Sequence, residues 1–224
     1  MEYLQEYIRV QQTGITMVKI DEGDFVVGCA DGQEESCYGD AQTAHLNAFE
    51  IGKTEVTQGQ WKAVMGSVPP KLHFKDCGDS CPVESVSWDD VQIFIRNLNA
   101  QTGRSYRLPT ESEWRAACLA GSPTKYCGGN NGNAVAWFYE NSGSSDNKIH
   151  SVGQKQANAY GLYDMSGNVS EWVQDKYNNE DRWRVLRGGS WDDNLQGVRA
   201  ADRGRIGASN RLSYVGFRLA RTLP

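Results

Sequence analysis

The sequence has no apolar run of the roughly 18–20 residues that a helix needs to cross a membrane. Its first residues, MEYLQEYIRVQQTG, carry charges where the apolar core of a signal peptide would lie. Mean hydropathy is low, at −0.61, yet the 39% of hydrophobic residues suffice for a core in a chain of 224 residues. We therefore expect a folded protein with neither a membrane span nor a signal peptide in this sequence.

Histidine is scarce, and the chain has neither internal repeats nor low-complexity stretches. The three histidines, His45, His73 and His150, are scattered without the spacing of zinc ligands. Because no Pro/Ser-rich linker divides the chain, the sequence predicts a single domain over residues 1–224.

Positive charge is in deficit, since 23 Lys and Arg against 28 Asp and Glu give a net charge of −5. Such a chain offers no overall attraction to nucleic acid, and we expect no nucleic-acid partner. Nine of the 14 arginines nevertheless lie between Arg182 and Arg221. A phosphate-binding stripe would explain them, but Asp192, Asp193 and Asp202 lie among them, so structural ion pairing is favoured.

Six cysteines fall into three local couples, Cys29/Cys37, Cys77/Cys81 and Cys118/Cys127. An even number in short loops favours disulfides, although six cysteines permit 15 pairings, and free core thiols are the alternative. The single C-x-x-x-C makes zinc the weakest explanation. Disulfides indicate an oxidising compartment, which favours an extracellular, cell-surface or phage-displayed protein.

Three helices are predicted, each from its capping signals. Capping-box patterns at residues 57–60 and 110–113 start the first and the third. Ser87 caps the second, in which apolar residues recur at helical spacing over residues 91–98. The expected ends are the glycines that follow: Gly66, Gly103 and Gly121.

Strand signals are clearest at the start of the chain. Alternating apolar residues at 17–20 and 25–28 flank a turn-rich stretch at 21–24, which predicts a β-hairpin. From residue 122 onward the sequence predicts turns and short strands. A helical first half and an irregular, strand-poor second half are typical of an α+β fold.

Seven segments occur together in a recognisable order: MVKIDEGDFVVG, EIGKTEVTQGQWKAVMG, PVESVSWDD, YRLPTESEW, YGLYDMSGNVSEW, VLRGGSW and VGFRLAR. In this order they resemble the sulfatase-modifying-factor family, the relatives of formylglycine-generating enzyme, over about residues 15–221. The resemblance implies a C-type-lectin-like fold, with two or three helices on a small antiparallel sheet and much irregular structure.

The residues that would carry this family's catalysis are absent. Its enzymes oxidise a substrate cysteine with a copper-binding cysteine pair after the GGS[YW] motif, but the last cysteine here is Cys127. Thiolates are the soft ligands that Cu(I) requires. Another branch of the family uses iron bound by histidines, and the three histidines here lack H-x-x-x-H spacing. We therefore expect neither copper nor iron, and a protein that is not an enzyme.

One metal site of the family has matching residues. The resemblance implies calcium within YDMSGNVSEW, held by the side chains of Asp164 and Glu171 and by the backbone carbonyls of Gly167 and Val169. Oxygen ligands, two of them carboxylates, suit this hard cation. The alternative is that both carboxylates merely bind backbone amides in a tight loop.

Residues 192–214 have an unusual composition. The motifs also resemble variable proteins of diversity-generating retroelements, in which a reverse transcriptase miscopies adenines and the copy replaces the 3′ end of the gene. Mutated AAC or AAT codons never encode Lys, Glu, Gln, Met or Trp. Gln196 is the one such residue in the segment, whereas every Lys and Glu of the chain precedes it. We interpret residues 192–214, framed by RGGSW and GFR, as a variable ligand-binding segment.

The segment is rich in the residue types that form adaptable binding loops, and rigid scaffolds tolerate substitution in such loops. The predicted ligand is a protein or a surface glycan, and the predicted contacts are Asp192, Asp193, Asn194, Gly197, Asp202, Gly204, Ile206, Gly207, Ser209, Asn210, Leu212, Ser213 and Tyr214. Trp191 is predicted to fill the fold. Five arginines are predicted to pair with carboxylates and carbonyls as scaffold: Arg199, Arg203, Arg205, Arg211 and Arg218.

Two other functions remain open at this point. The chain could be a family member outside the retroelements that lacks the catalytic cysteines and has an unassigned enzymatic or structural role. It could also be a sugar-binding lectin with a metal at Asp192, Asp193 and Asn194.

Overall fold

The computed structural model describes residues 13–27, 42–143 and 148–223. Its strands are β1 (Met17–Ile20), β2 (Gly23–Val26), β3 (Thr43–Leu46), β4 (Phe49–Gly52), β5 (Tyr106–Arg107), β6 (Ser170–Lys176), β7 (Trp183–Arg187), β8 (Arg203–Gly207), β9 (Val215–Phe217) and β10 (Ala220–Thr222). Its helices are α1 (Gln58–Met65), α2 (Trp88–Thr102), α3 (Glu111–Leu119) and the single-turn α4 (Gly132–Val135). The predicted α+β class is confirmed.

The three predicted helices are present, and each begins at a capping box. The N-cap side chains of Thr57, Ser87 and Thr110 each accept a hydrogen bond from the N3 amide, and the N3 side chain binds back to the cap. Helices α1 and α2 end at left-handed glycines as predicted. Helix α3 ends one residue earlier than predicted, because Ala120 adopts the left-handed conformation with φ 46°.

The first sheet joins the two ends of the described chain. Its order is β1-β4-β10-β5, with every pair antiparallel. The predicted hairpin at 17–28 is wrong, because β1 pairs with β4 and β2 pairs with β3. Alternating apolar residues indicate a strand but do not indicate which strand it pairs with. Ile20 lies opposite Phe49, and Val18 lies opposite Ile51, about thirty residues further along the chain.

The second sheet carries the end of the chain, in the order β8-β7-β6-β9. Strand β9 runs parallel to β6, so the sheet is mixed. The expectation of a strand-poor second half is wrong, since this sheet and β10 both come from it. Strand β8 lies inside the segment 192–214. Its sequence, RGRIG, lacks a strand pattern and is held in place by its ladder to β7.

Two apolar clusters pack the helices on the sheets. In the first, Trp61 of α1 stacks on Phe94 of α2 at 5.1 Å between ring centroids, and both meet Phe217 of β9 edge-on. In the second, Trp114 of α3 packs with Phe49 of β4 and with residues of β6 and β7. Trp172 and Leu186 belong to the first cluster and their neighbours Val173 and Val185 to the second, so the second sheet is packed on both faces.

The described cysteines form two of the predicted disulfides, Cys77–Cys81 and Cys118–Cys127. Cys29 and Cys37 lie outside the described residues. Among the helices of the described ranges, none combines the length and apolar character that crossing a bilayer requires.

Candidate ligand-binding cleft

The segment 192–214 follows β7 and precedes β9. A glycine pair, Gly188 and Gly189, starts the connection, and both residues have positive φ. A Cβ atom on Gly189 would overlap the carbonyl oxygen of Gly197, so only glycine fits there. The segment then runs as a loop to residue 202, forms β8, and turns back through residues 208–214.

The frame holds the second half of the segment through backbone atoms. The carbonyl oxygen of Ala208 accepts the amide of Trp88 at 2.9 Å, and that of Tyr214 accepts the amide of Ser170 at 2.8 Å. The carbonyls of Leu212 and Ser213 accept hydrogen bonds from Ser85 N and Trp191 Nε1. Backbone anchors do not depend on the side chain at the same position, so substitutions leave them in place.

Buried Arg187, the last residue of β7, binds the middle of the segment. Its guanidinium donates to the carbonyl oxygens of Ala200, Ala201 and Asp202. Burial lowers the pKa of Arg187 to about 10, so it stays charged at neutral pH. The loop that precedes β8 is therefore fixed by a cation that binds three backbone carbonyls.

An open cleft of about 240 Å³ lies where the segment meets the second sheet. Five of the predicted ligand contacts line it together, although they come from three parts of the segment: Asp193, Asp202, Gly204, Ile206 and Tyr214. The structure thus brings residues that are 21 positions apart to one concave surface, of the kind at which proteins bind ligands.

Burial and neighbouring charges shift the pKa values of the polar groups in the cleft. Burial raises the pKa of Asp202 against the opposing charge of Arg187, and Asp193 raises it further. Burial also raises the pKa of the Tyr214 hydroxyl, reinforced by Asp193 and then Asp192. The cleft therefore presents carboxylates beside a phenol, a combination that suits ligands with hydrogen-bond donors or positive charge.

The other predicted contacts do not line this cleft. Asp192, Asn194, Ser209 and Asn210 are exposed; Gly197, Leu212 and Ser213 are half-buried. Within the cleft, Ile206 is only 8% exposed and belongs to the first apolar cluster, and Gly207 beside it is buried. Four of the thirteen predicted contacts are thus exposed, seven are half-buried, and the two buried ones belong to the frame.

Asp193 has a structural task in addition to its place in the cleft. Its Oδ2 accepts hydrogen bonds from the amide and the hydroxyl of Ser190, at 2.9 and 2.8 Å. Ser190 is fully buried. Among the hydrogen bonds of the described residues, the side chain of neighbouring Asp192 makes no such contact. Asp192 can therefore serve as a control for substitutions of Asp193.

Four of the five predicted scaffold arginines bind carboxylates or carbonyls as expected. Arg203 pairs with Glu111 at 2.7 Å, Arg211 with Asp90 at 2.6 Å, and Arg218 with Glu171 at 2.6 Å. Arg199 donates to the carbonyl of Gln196. Arg205 differs, because its guanidinium lies over the rings of Tyr177 and Trp183 at 4.8 and 5.5 Å.

Sequence reasoning missed the parts of the cleft that lie outside the segment or were assigned to the scaffold: Ser170, Leu186, Gly188, Gly189 and Arg205. These residues belong to β6, β7, β8 and the glycine pair. Ser170, Leu186, Gly188 and Gly189 lie in the YGLYDMSGNVSEW and VLRGGSW motifs, which was a usable signal, whereas Arg205 lies outside every quoted motif.

The predicted calcium loop leads directly into β6 of the second sheet. Asp164, with φ 54°, accepts the Gly153 amide at Oδ2, while its buried Oδ1 has no hydrogen-bond partner among the described residues. Burial raises the pKa of Asp164 to about 6. Both oxygens of buried Glu171 are engaged, by Arg218 and by Trp114 Nε1 at 2.7 Å.

These residues fit a calcium ion only in part. The free oxygen of Asp164 is a suitable ligand, but a metal at Glu171 would compete with the guanidinium of Arg218. Within the described ranges no three His, Cys, Asp or Glu side chains cluster closely enough to hold a metal ion. A calcium ion here would have to draw mainly on backbone carbonyl oxygens, such as the predicted ones of Gly167 and Val169.

The cleft contains no cysteine, although the resemblance places the catalytic pair of the family's enzymes in this segment. Aspartates, glycines and Tyr214 line the cleft instead. All four described cysteines are paired in disulfides elsewhere in the chain.

Comparison with known proteins identifies the family. The model of the sulfatase-modifying factor enzyme 1-like domain matches residues 5–223, almost the whole chain. The chain belongs to this family. Among solved structures, Treponema denticola variable protein 1 is 29% identical to this protein. The two superpose with a TM-score of 0.82, and the match covers 92% of this chain and 95% of the Treponema chain. The predicted family and fold are confirmed.

The similar proteins include one named as an enzyme, one named as an inactive enzyme and one named as a chaperone. The chaperone protein LppX of Paenibacillus barcinonensis is 30% identical over 90% of both chains. The inactive C-alpha-formylglycine-generating enzyme 2 of Bos taurus is 35% identical over 56% of this chain and 43% of its own length. The hercynine oxygenase of Mycobacterium tuberculosis is 27% identical over 88% and 58%. Family membership alone therefore does not decide between catalysis and binding.

Proposed function

We propose that this protein is a non-catalytic ligand-binding member of the family whose segment 192–214 is diversified by a retroelement. The segment forms a replaceable recognition surface, and the two sheets form the frame that presents it. The ligand is a protein or a glycan on another surface, and it is bound without chemical change.

One observation carries the proposal: residues of the segment line an open cleft while their backbone is anchored by the frame. Ala208, Leu212 and Tyr214 are each held through a carbonyl oxygen. Such a surface can change its side chains without losing its shape, which is the property that diversification requires. Reactive cysteines, in contrast, do not line it.

The chemistry of the cleft supports recognition by hydrogen bonding. Asp202 and Asp193 offer carboxylate acceptors, and Tyr214 adds a rigid amphipathic ring of the kind that anchors binding loops. Together with the net charge of −5, these carboxylates favour partners rich in amide, hydroxyl or ammonium donors over nucleic acid.

The disulfides support a location in an oxidising compartment. We infer an extracellular, cell-surface or phage-displayed protein, because Cys77–Cys81 and Cys118–Cys127 would not persist in a reducing cytosol. The likeness to Treponema denticola variable protein 1 supports the assignment to the variable proteins.

A second candidate function comes from the other relatives. The chaperone protein LppX and the inactive formylglycine-generating enzyme 2 favour a family homologue without the catalytic cysteines that assists other proteins. Such a protein would use the same cleft, but its segment would be constant within a population.

Sequencing the gene from many individuals of one source population separates the two functions. Diversification predicts substitutions confined to the codons of residues 192–214, at codons that end in C or T, beside a reverse transcriptase gene and an Asn-rich near-copy of the segment. A constant segment without these neighbours would leave the second function.

Calcium at the loop 164–171 stays a prediction, with Asp164, Glu171 and the carbonyls of Gly167 and Val169 as ligands and a structural role, and Glu171 would bind the ion in competition with Arg218. If the ion binds, millimolar CaCl₂ will raise the Tm of chelator-treated protein, and Asp164→Asn will abolish that rise. An unchanged Tm in the parent protein would leave Glu171 and Arg218 as a metal-free ion pair.

A further inference from the structure

A second cavity, of about 400 Å³, shares no lining residue with the cleft. The Cys77–Cys81 disulfide borders it, together with Lys75 and Lys148. Cys77 is half-buried whereas Cys81 is only 1% exposed, so Cys77 is the more accessible residue of the bond. The Cys118–Cys127 disulfide is an internal contrast, because its cysteines are 0% and 3% exposed.

We propose that Cys77–Cys81 is a thiol-exchange site that takes a small anionic thiol. The thiolate attacks Sγ of Cys77, the S–S bond breaks, and Cys81 leaves as a thiolate that takes a proton from water. A second thiolate then attacks the sulfur of the bound thiol and releases Cys77. In sum, two thiols are oxidised to their disulfide, and the protein gains two electrons and two protons.

The charges around the cavity favour such a reactant. Lys75 and Lys148 line it, against the single carboxylate of Asp76. Burial lowers the pKa of His150, so at neutral pH the positive charge comes mainly from the lysines. Cations near a disulfide stabilise both the attacking and the leaving thiolate. The hydroxyl of Ser151 lies 3.7 Å from Sγ of Cys81, within reach of the leaving sulfur.

The loop is anchored independently of the disulfide. The Gln58 amide donates to the carbonyl of Cys81 at 2.8 Å, and the Val152 amide donates to that of Ser80 at 3.0 Å. The carboxylate of Glu84 accepts the amides of His73 and Phe74. A cross-link between residues four apart also constrains the unfolded chain little, so exchange leaves the fold intact.

The test uses two thiols of similar size and opposite charge, 2-mercaptoethanesulfonate and cysteamine, on the native protein. After timed exposure, free thiols are alkylated and each cysteine is assigned by peptide mass spectrometry. Rates are compared at equal thiolate concentration, because the two thiols differ in pKa. We expect Cys77 and Cys81 to be alkylated while Cys118 and Cys127 stay paired, with the anionic thiol faster by at least about threefold at low salt.

Variants keep the outcome interpretable. Lys75→Gln with Lys148→Gln should remove the preference for the anionic thiol, whereas Lys19→Gln, outside the cavity, should not. In Cys81→Ser the mixed disulfide should accumulate on Cys77. Circular dichroism confirms that each variant is folded. Equal reduction of both disulfides, reduction only in denaturant, or equal rates for the two thiols would overturn the proposal.

Discussion

Two regions of the second sheet and its connecting segment use charged side chains for different purposes, one for internal pairing and one for an open surface. In β6 and directly after β9, Glu171 and Arg218 form a buried ion pair, 1% and 0% exposed at the side chains, and Trp114 binds the same carboxylate. Where the segment 192–214 meets the sheet, Asp193 and Asp202 line the open cleft, and Asp192 is exposed. We call the first region the frame centre and the second the variable face.

The difference teaches where substitution can occur. At the frame centre the side chains themselves make the contacts, so each identity is fixed by its partner. At the variable face the backbone makes many of the contacts and the side chains are left for a ligand. One sheet can therefore combine a constant fold with a changeable surface.

The largest expected effect is at the frame centre. Arg218→Met leaves the Glu171 carboxylate buried without its cation, and we expect a loss of about 3–5 kcal/mol in the free energy of unfolding. The matched control is Arg211→Met, which breaks the partly exposed pair with Asp90 and should cost no more than about 1 kcal/mol. Urea unfolding measures both. Equal losses would erase the distinction between the regions.

The next effect sharpens the comparison inside the variable face. Asp193→Ala strips the buried amide and hydroxyl of Ser190 of their acceptor and should destabilise by about 1–3 kcal/mol. Asp192→Ala, one residue earlier, should change stability by less than about 0.5 kcal/mol. If both variants unfold at the same urea concentration, Asp193 is not part of the frame.

The smallest effect concerns pH. The folded pKa of Asp202 is raised above its unfolded value, so ionisation of this group costs stability as pH rises through the ordinary aspartate range toward the raised pKa. Asp202→Asn should therefore unfold at higher urea than the parent at pH 7, and the gap should close at pH 3, where both forms are neutral. A gap independent of pH would show that the charge is not its cause.

The local parts of the fold could be predicted from the sequence. Capping boxes at Thr57, Ser87 and Thr110 are built from residues three positions apart, so their signal is complete within one turn. Strand pairing is different, because β1 and β2 each find a partner far along the chain. The predicted hairpin failed for this reason.

The site could be predicted only as far as its own segment. Composition indicated residues such as Asp202 and Tyr214, which line the cleft. It could not show that Leu186 and Ser170 complete the cleft, since they arrive from other strands through the sheet's register. Nor could it separate Ile206, which packs into the core, from exposed residues such as Ser209 and Asn210, because residue composition does not report burial.

The most direct test of a constant frame with a changeable surface is a library on this chain. Asp192, Asn194, Ser209, Asn210 and Tyr214 are varied together to the residue types that mutated AAC and AAT codons encode, and displayed variants are sorted for protease resistance and for binding to unrelated protein and glycan targets. The account predicts that most variants fold and that different targets select different residues at these positions. Widespread unfolding, or the absence of binders among folded variants, would contradict it.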